Sequence, residues 1–117
     1  MKSTFGAVVG ARSLEGRDEF LRYHSAAIEV PSTAISRIEA ISRATNVFLV
    51  FGVIEKEGGT WYCTIIFVDP LLGYVTKHRK LIPTAAERLV WGFGDATTLR
   101  VLEQTFSSEK GAVSTKL

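Results

Sequence analysis

Cysteine is nearly absent: Cys63 is the single one in 117 residues. An internal disulfide framework is therefore excluded, as is a zinc site built from several thiolates. A reducing compartment such as the cytoplasm is the expectation. Neither sign of charge is in large excess. Fourteen Lys and Arg face 12 Asp and Glu, for a formal net charge of +2, too mild to argue for nucleic acid or an anionic membrane as partner. Long apolar runs are also lacking. The longest, Val47 to Ile54, has the length of a strand and falls far short of a transmembrane helix. Near the start, Phe5 to Val9 is apolar but soon meets Arg12, too short and too broken for the core of a signal peptide. No internal repeat and no low-complexity segment occurs. What is present is a hydrophobic fraction of 46%, ordinary for a globular chain and too high for a disordered one. The length is that of one small domain, residues 1–117.

Residues 1–16 hold Gly6, Gly10 and Gly16 and read as loop, with room for a short strand. From Arg17 to Val30, Phe20, Leu21, His24, Ala27 and Ile28 fall at helical spacing. Asp18 is a plausible cap, and Pro31 ends the helix or parts it from the next. Ser32 can cap a second helix with Ile35, Ile38, Ile41 and Thr45 on one face, and Asn46 is its stop signal. Val47 to Ile54 is apolar without alternation, the pattern of a strand covered on both faces. Gly58 and Gly59 form a turn, and Trp61 to Val68 is β-rich, so the two runs make a hairpin. Asp69, Pro70 and Gly73 turn the chain into a third strand, Tyr74 to Lys77. Residues 78–97 read as a long loop with one helical turn. Leu99, Val101 and Glu103 lead into a fourth strand, and the tail from Ser107 has no clear period. The fold class is α/β, a sheet with helices on one face. The strands' other face also wants cover, and the chain offers none.

One segment concentrates chemistry. A cluster of cations, Lys77, His78, Arg79 and Lys80, follows a strand, and then come a proline-fixed loop with Pro83, the carboxylate Glu87 and a Trp91-Gly92-Phe93-Gly94-Asp95 turn. Loops at the carboxyl ends of strands often hold sites, and a lysine beside a glutamate can supply a charged clamp and an acid–base group. On spacing alone, a solvated basic turn explains the same residues. Cys63 lies mid-strand and reads as a small buried hydrophobe rather than a nucleophile. His78 reads as a structural or loop-ordering residue rather than a general base, His24 as packed on its helix, and Trp61 and Trp91 as anchors of core and loop.

The stretch His78-Arg79-Lys80-Leu81-Ile82-Pro83-Thr84-Ala85-Ala86-Glu87-Arg88-Leu89-Val90-Trp91-Gly92 resembles the lysine-bearing block of nitrilases, a branch of the carbon–nitrogen hydrolases. So do Gly16-Arg17-Asp18-Glu19-Phe20-Leu21-Arg22-Tyr23-His24 with Ala26-Ala27-Ile28-Glu29-Val30-Pro31, and Val47-Phe48-Leu49-Val50-Phe51-Gly52-Val53-Ile54-Glu55 with Gly59-Thr60-Trp61-Tyr62-Cys63-Thr64. Order and spacing hold from about Ser3 to about Thr105. Trp61, Ile82 and Phe93 replace the family's leucine, methionine and glutamine, and the tail from Ser107 departs from its short Gly-Lys link.

The resemblance implies roughly the N-terminal half of an αββα sandwich that associates into larger assemblies, acts on a small-molecule nitrile and needs no cofactor or metal. A cysteine thiolate attacks the nitrile carbon to give a thioimidate. A glutamate is general base and acid, a lysine stabilises the tetrahedral species, and water releases carboxylic acid and ammonia. Carried over, the lysine is Lys80. A second glutamate, which positions substrate or tunes that lysine, is Glu87. The family's first glutamate lies in a Phe-Pro-Glu segment upstream and its nucleophile in a Cys-Trp-Glu-Asn segment downstream. Neither occurs here, so the chain is expected to be an internal piece, inactive alone. The family's cysteine at the position of Cys63 is not catalytic. Two other readings stay open: an amidase or carbamoylase of the same superfamily, and a non-catalytic domain that pairs with a full-length subunit.

Overall fold

The computed structural model describes residues 12–108 and 111–117. Most of the loop expected over 1–16 lies outside the described residues. Helix α1 is Leu14–Ala26, capped by Ser13, whose side chain accepts a hydrogen bond from the Gly16 amide at 3.1 Å. Asp18 is inside the helix rather than at its cap. The helix also ends before the expected Val30. From Ala27 the chain runs extended, and Ile28 takes better partners than a helix would offer. Its amide donates to the Ile54 carbonyl at 2.9 Å, and its carbonyl accepts from the Lys56 amide at 2.8 Å. The packed face of α1 carries Tyr23, and Ala27 just past its end is buried as well, each 5% exposed. Leu21 is exposed, contrary to expectation, and His24 is exposed too but packs its ring on Trp61, with centroids 5.2 Å apart.

Helix α2, Thr33–Thr45, stops at Asn46, which adopts the left-handed conformation expected of a stop signal, with φ 53°. Ser32 occupies the N-cap position, but its side chain accepts no hydrogen bond from the first turn. Ile35 is buried and Ile38 half-buried, as expected of the apolar face, while Ile41 is exposed. Ser42 takes the buried place, and its hydroxyl donates to the Val47 carbonyl at 2.6 Å.

Strands β1 (Leu49–Glu57), β2 (Thr60–Asp69) and β3 (Gly73–Arg79) form an antiparallel sheet in that order. Gly58 turns β1 into β2 with φ +57°, a conformation cheap only for glycine. Register pairs Phe51 with Ile66 and Val53 with Thr64, so these side chains share one face. Ile66 and Val68 on that face pack with Ile35 of α2 and are fully buried. Ile65 is 40% and Val50 52% exposed on the opposite face. The apolar runs called for cover on both faces; among the described residues the face of Val50 and Ile65 is left exposed. At the second turn Asp69 accepts from the Leu71 and Leu72 amides at 2.7 and 2.9 Å.

The expected fourth strand is displaced. Leu99 and Val101 are exposed and belong to no strand. Strand β4, Glu103–Ser108, pairs with β5, Gly111–Lys116, as a separate two-stranded hairpin. The missing period of the tail concealed β5, which has no buried face to impose alternation. The hairpin touches the body through Phe106 against Phe48 and through Gln104, which donates to Asp69 at 2.9 Å. No helix among the described residues is long and apolar enough to cross a membrane.

Candidate active site

Strand β3 ends at Arg79, and its ladder continues one residue further. The Lys80 amide donates to the Cys63 carbonyl at 2.8 Å. Alternation therefore sends Arg79 to the helix-covered face and Lys80 to the open one. Beyond Lys80 the Trp-Gly-Phe-Gly segment turns back onto the strand ends. Gly94 donates to the Lys80 carbonyl at 3.0 Å and Gly92 to the Trp61 carbonyl at 2.8 Å. Both glycines are required by contact: a Cβ at Gly94 would lie 2.7 Å from the Arg79 carbonyl oxygen, and one at Gly92 would lie 2.5 Å from Thr60.

Between these strand ends, Thr84-Ala85-Ala86-Glu87 is a capping box opening a short 3-10 helix, Ala85–Leu89. The Thr84 amide donates to Glu87 Oε2 at 2.7 Å. The same oxygen accepts from Lys80 Nζ at 2.6 Å, and Nζ also donates to Thr84 Oγ1 at 2.9 Å. Lys80 and Glu87 are thus brought together seven residues apart, each side chain about one third exposed. The Lys80 ammonium, with the Thr84 amide, holds the Glu87 carboxyl below the usual carboxylate range. A pair this exposed contributes orientation rather than stability. Ala85 is held at φ 47°, an uncommon conformation for a residue with a Cβ.

Cys63 is exposed on the open face, a correction to its expected burial. A buried position would need cover over β2 that the described residues do not supply. Partial burial still pushes its thiol above the ordinary value; Lys80 pulls it down and Glu87 pushes it up. Trp61 and Trp91 pack around Tyr23, with ring centroids 5.6 and 5.8 Å from it, and anchor the loop as expected. Burial pushes the Tyr23 hydroxyl up to about 12. His78 lies within β3, pairing with Ile65, a structural place in the sheet rather than in the loop. Among the described residues, no group of His, Cys, Asp or Glu is placed to hold a metal ion.

A second cluster lies on the covered face, directly behind this site. Glu55 is 1% and Arg79 5% exposed. Glu55 Oε2 accepts from Arg79 Nε at 2.9 Å and from Thr64 Oγ1 at 2.8 Å, and Oε1 accepts from Lys77 and the Arg79 guanidinium. Arg79 also pairs with Glu57 at 3.0 Å and stacks on Tyr62, 3.9 Å from the ring centroid. Burial raises the Glu55 carboxyl, but the bonds from Arg79, Lys77 and Thr64 outweigh it and hold the group low. Sequence reading gave these residues no role. The available signal was strand parity, which places Lys77 and Arg79 on one face and Lys80 on the other.

The carbon–nitrogen hydrolase family model matches residues 5–113. An arylacetonitrilase of Trametes versicolor is 65% identical over 113 residues, which are 97% of this chain and 35% of that protein. A bifunctional nitrilase/nitrile hydratase of Lupinus angustifolius is 48% identical over 101 residues, 86% of this chain and 29% of that protein. Nitrilase 1 of Arabidopsis thaliana is 48% identical over 99 residues, 85% of this chain and 29% of that protein. The chain therefore spans about a third of the length of the curated relatives it matches. With a family match over nearly all its residues, this chain belongs to the carbon–nitrogen hydrolase family.

Proposed function

We propose that these residues are one part of a nitrile-hydrolysing enzyme, with Lys80 and Glu87 in its active site. The observation that carries the reading is the Lys80–Glu87–Thr84 cluster: one carboxylate oxygen, fixed by a backbone amide, aims a lysine ammonium from a strand end. Hydrolysis of a nitrile consumes two waters and yields a carboxylic acid and ammonia. A thiolate adds to the nitrile carbon, and the nitrogen takes a proton to give a thioimidate. Water adds, ammonia leaves, and a second water cleaves the thioester. Each addition builds negative charge or a tetrahedral centre that an ammonium held in advance stabilises. Lys80 takes that role, and Glu87 holds the ammonium in place. The names of the relatives favour a nitrile over an amide as substrate.

The thiolate is not Cys63, whose thiol burial makes harder to ionise and which sits within the β2 ladder. The nucleophile and the first glutamate are assigned to parts of the longer protein outside these 117 residues, which alone would be inactive. The open sheet face would be covered by a second sheet, completing an αββα sandwich. The whole protein would be a cytoplasmic homo-oligomer. Pairing of this chain with a full-length subunit is the second reading, favoured by that open face.

The test is a graft. Residues 5–113 replace the matching segment of the Trametes versicolor arylacetonitrilase, and ammonia release is measured with an arylacetonitrile. Turnover comparable to the ungrafted enzyme is expected. A folded graft without turnover overturns the reading.

A further inference from the structure

The cluster behind the site has a consequence for the site itself. Arg79 and Lys80 are neighbours on one strand end, and their side chains leave on opposite faces. Arg79 is held at three levels. Its guanidinium forks onto Glu55, its ring contact is Tyr62, and its amide donates to Thr98 Oγ1 at 3.1 Å. Thr98 is itself nearly buried and lies in the 3-10 turn Ala96–Thr98. The Arg79 carbonyl is also the floor against which Gly94 is seated. The Lys80 backbone itself is held by the ladder bond to Cys63 and the bond from Gly94.

The geometry points to Arg79 as a positioning residue for Lys80: the buried Glu55–Arg79 pair and the Thr98 hydroxyl fix the end of β3, and so fix where the Lys80 ammonium meets Glu87. The inference rests on the proposed role of Lys80 for its catalytic meaning. Its physical content, that the clamp sets the Lys80–Glu87 contact through the backbone, stands separately. Two features support it. A planar guanidinium forked on a carboxylate fixes direction, which a lysine at the same place does not. Lys77 converges on the same carboxylate, so both cations of the covered face at this strand end are tied to Glu55.

The test reads the Lys80 amine directly in the full 117-residue chain. A brief pulse of acetic anhydride is followed by peptide mass spectrometry, which reports each lysine separately and does not require a monomer. Exposed Lys116 serves as reference. Lys80, engaged by Glu87 and Thr84, is expected to acylate more slowly than Lys116. Arg79→Met and Thr98→Val should each raise the Lys80 rate severalfold toward that of Lys116. Thr98→Ser, which keeps the hydroxyl, should leave it slow. Ile66→Val loosens the core while removing no hydrogen bond of the clamp and should also leave it slow.

An unchanged Lys80 rate in Thr98→Val overturns the inference. So does an equal rise in Ile66→Val, which would mean general loosening. Should Arg79→Met fail to fold, the Val and Ser variants at Thr98 decide alone. No nitrile turnover enters these rates, so failure of the hydrolase reading and failure of the clamp are distinguished.

Discussion

Replacing Glu55 with Gln removes one charge from a site where Arg79 and Lys77 are already desolvated. Glu55 is 1% exposed, and the side chains of Arg79 and Lys77 are 6% and 17% exposed. Breaking a buried pair by deleting one partner costs about 3–5 kcal/mol, because the remaining charge is left without compensation. Glu57 is the internal contrast. It also contacts Arg79 but is 65% exposed, so Glu57→Gln should cost about 1 kcal/mol or less. Against a domain stability of about 5–15 kcal/mol, the first loss is severe and the second minor. With a urea slope of about 2 kcal/mol/M, Glu55→Gln should lower the midpoint by about 1.5–2.5 M. Midpoints must be compared at one protein concentration, since any association adds stability. The pH dependence has a fixed sign. Glu55 is held low in the folded state, so its contribution is present above the unfolded carboxylate value and is lost as pH falls through the folded one. The difference between the parent chain and Glu55→Gln should therefore be constant near neutrality and shrink in acid. A midpoint shift in Glu55→Gln no larger than that in Glu57→Gln would refute the reasoning.

Other expectations follow from the same contacts. Gly94→Ala places a methyl against the Arg79 and Lys80 carbonyls at 2.7 and 2.8 Å, backbone atoms that cannot step aside. In the graft it should lower nitrile turnover much more than Gly59→Ala, which meets nothing within 4 Å; equal turnover in the two variants would contradict the docking of that segment. The 117 residues alone should release no ammonia from any nitrile, since they offer no activated thiolate. Turnover that survives Cys63→Ser would contradict this, and turnover abolished by it would make Cys63 the nucleophile. The exposed sheet face, and an outer edge of β3 against which no strand among the described residues pairs, should make the isolated chain insoluble or self-associated. Sedimentation decides that point: a stable monomer that unfolds cooperatively and binds no hydrophobic dye would contradict it.

Much of this architecture was legible because several local signals agree. Asn46 after an apolar helix face, and two glycines between apolar runs, each demand one conformation. The third strand and its turn follow from Asp69 and Gly73. The misread elements are those decided by partners distant in sequence. Helix α1 ends early because Ile28 finds the edge of β1, which helical spacing cannot foresee. Tyr23 rather than His24 is buried because Trp61 and Trp91 happen to converge there. Leu99 and Val101 suggested a strand by composition, yet both are exposed. At the site, the Thr84–Glu87 spacing signals a capping box, and the resemblance singled out Lys80 and Glu87 with it. Glu55 was hidden because its strand reads as uniformly apolar up to that residue, while its partners are contributed by β2 and β3.

The most direct measurement is ammonia release by the graft carrying Lys80→Ala, compared with the graft carrying Lys80. Removal of one group that stabilises developing charge costs about 10²–10³ in rate. A loss of that size or more in kcat, with the graft still folded, is expected. Turnover retained in the Lys80→Ala graft would contradict the placement of Lys80 in the active site.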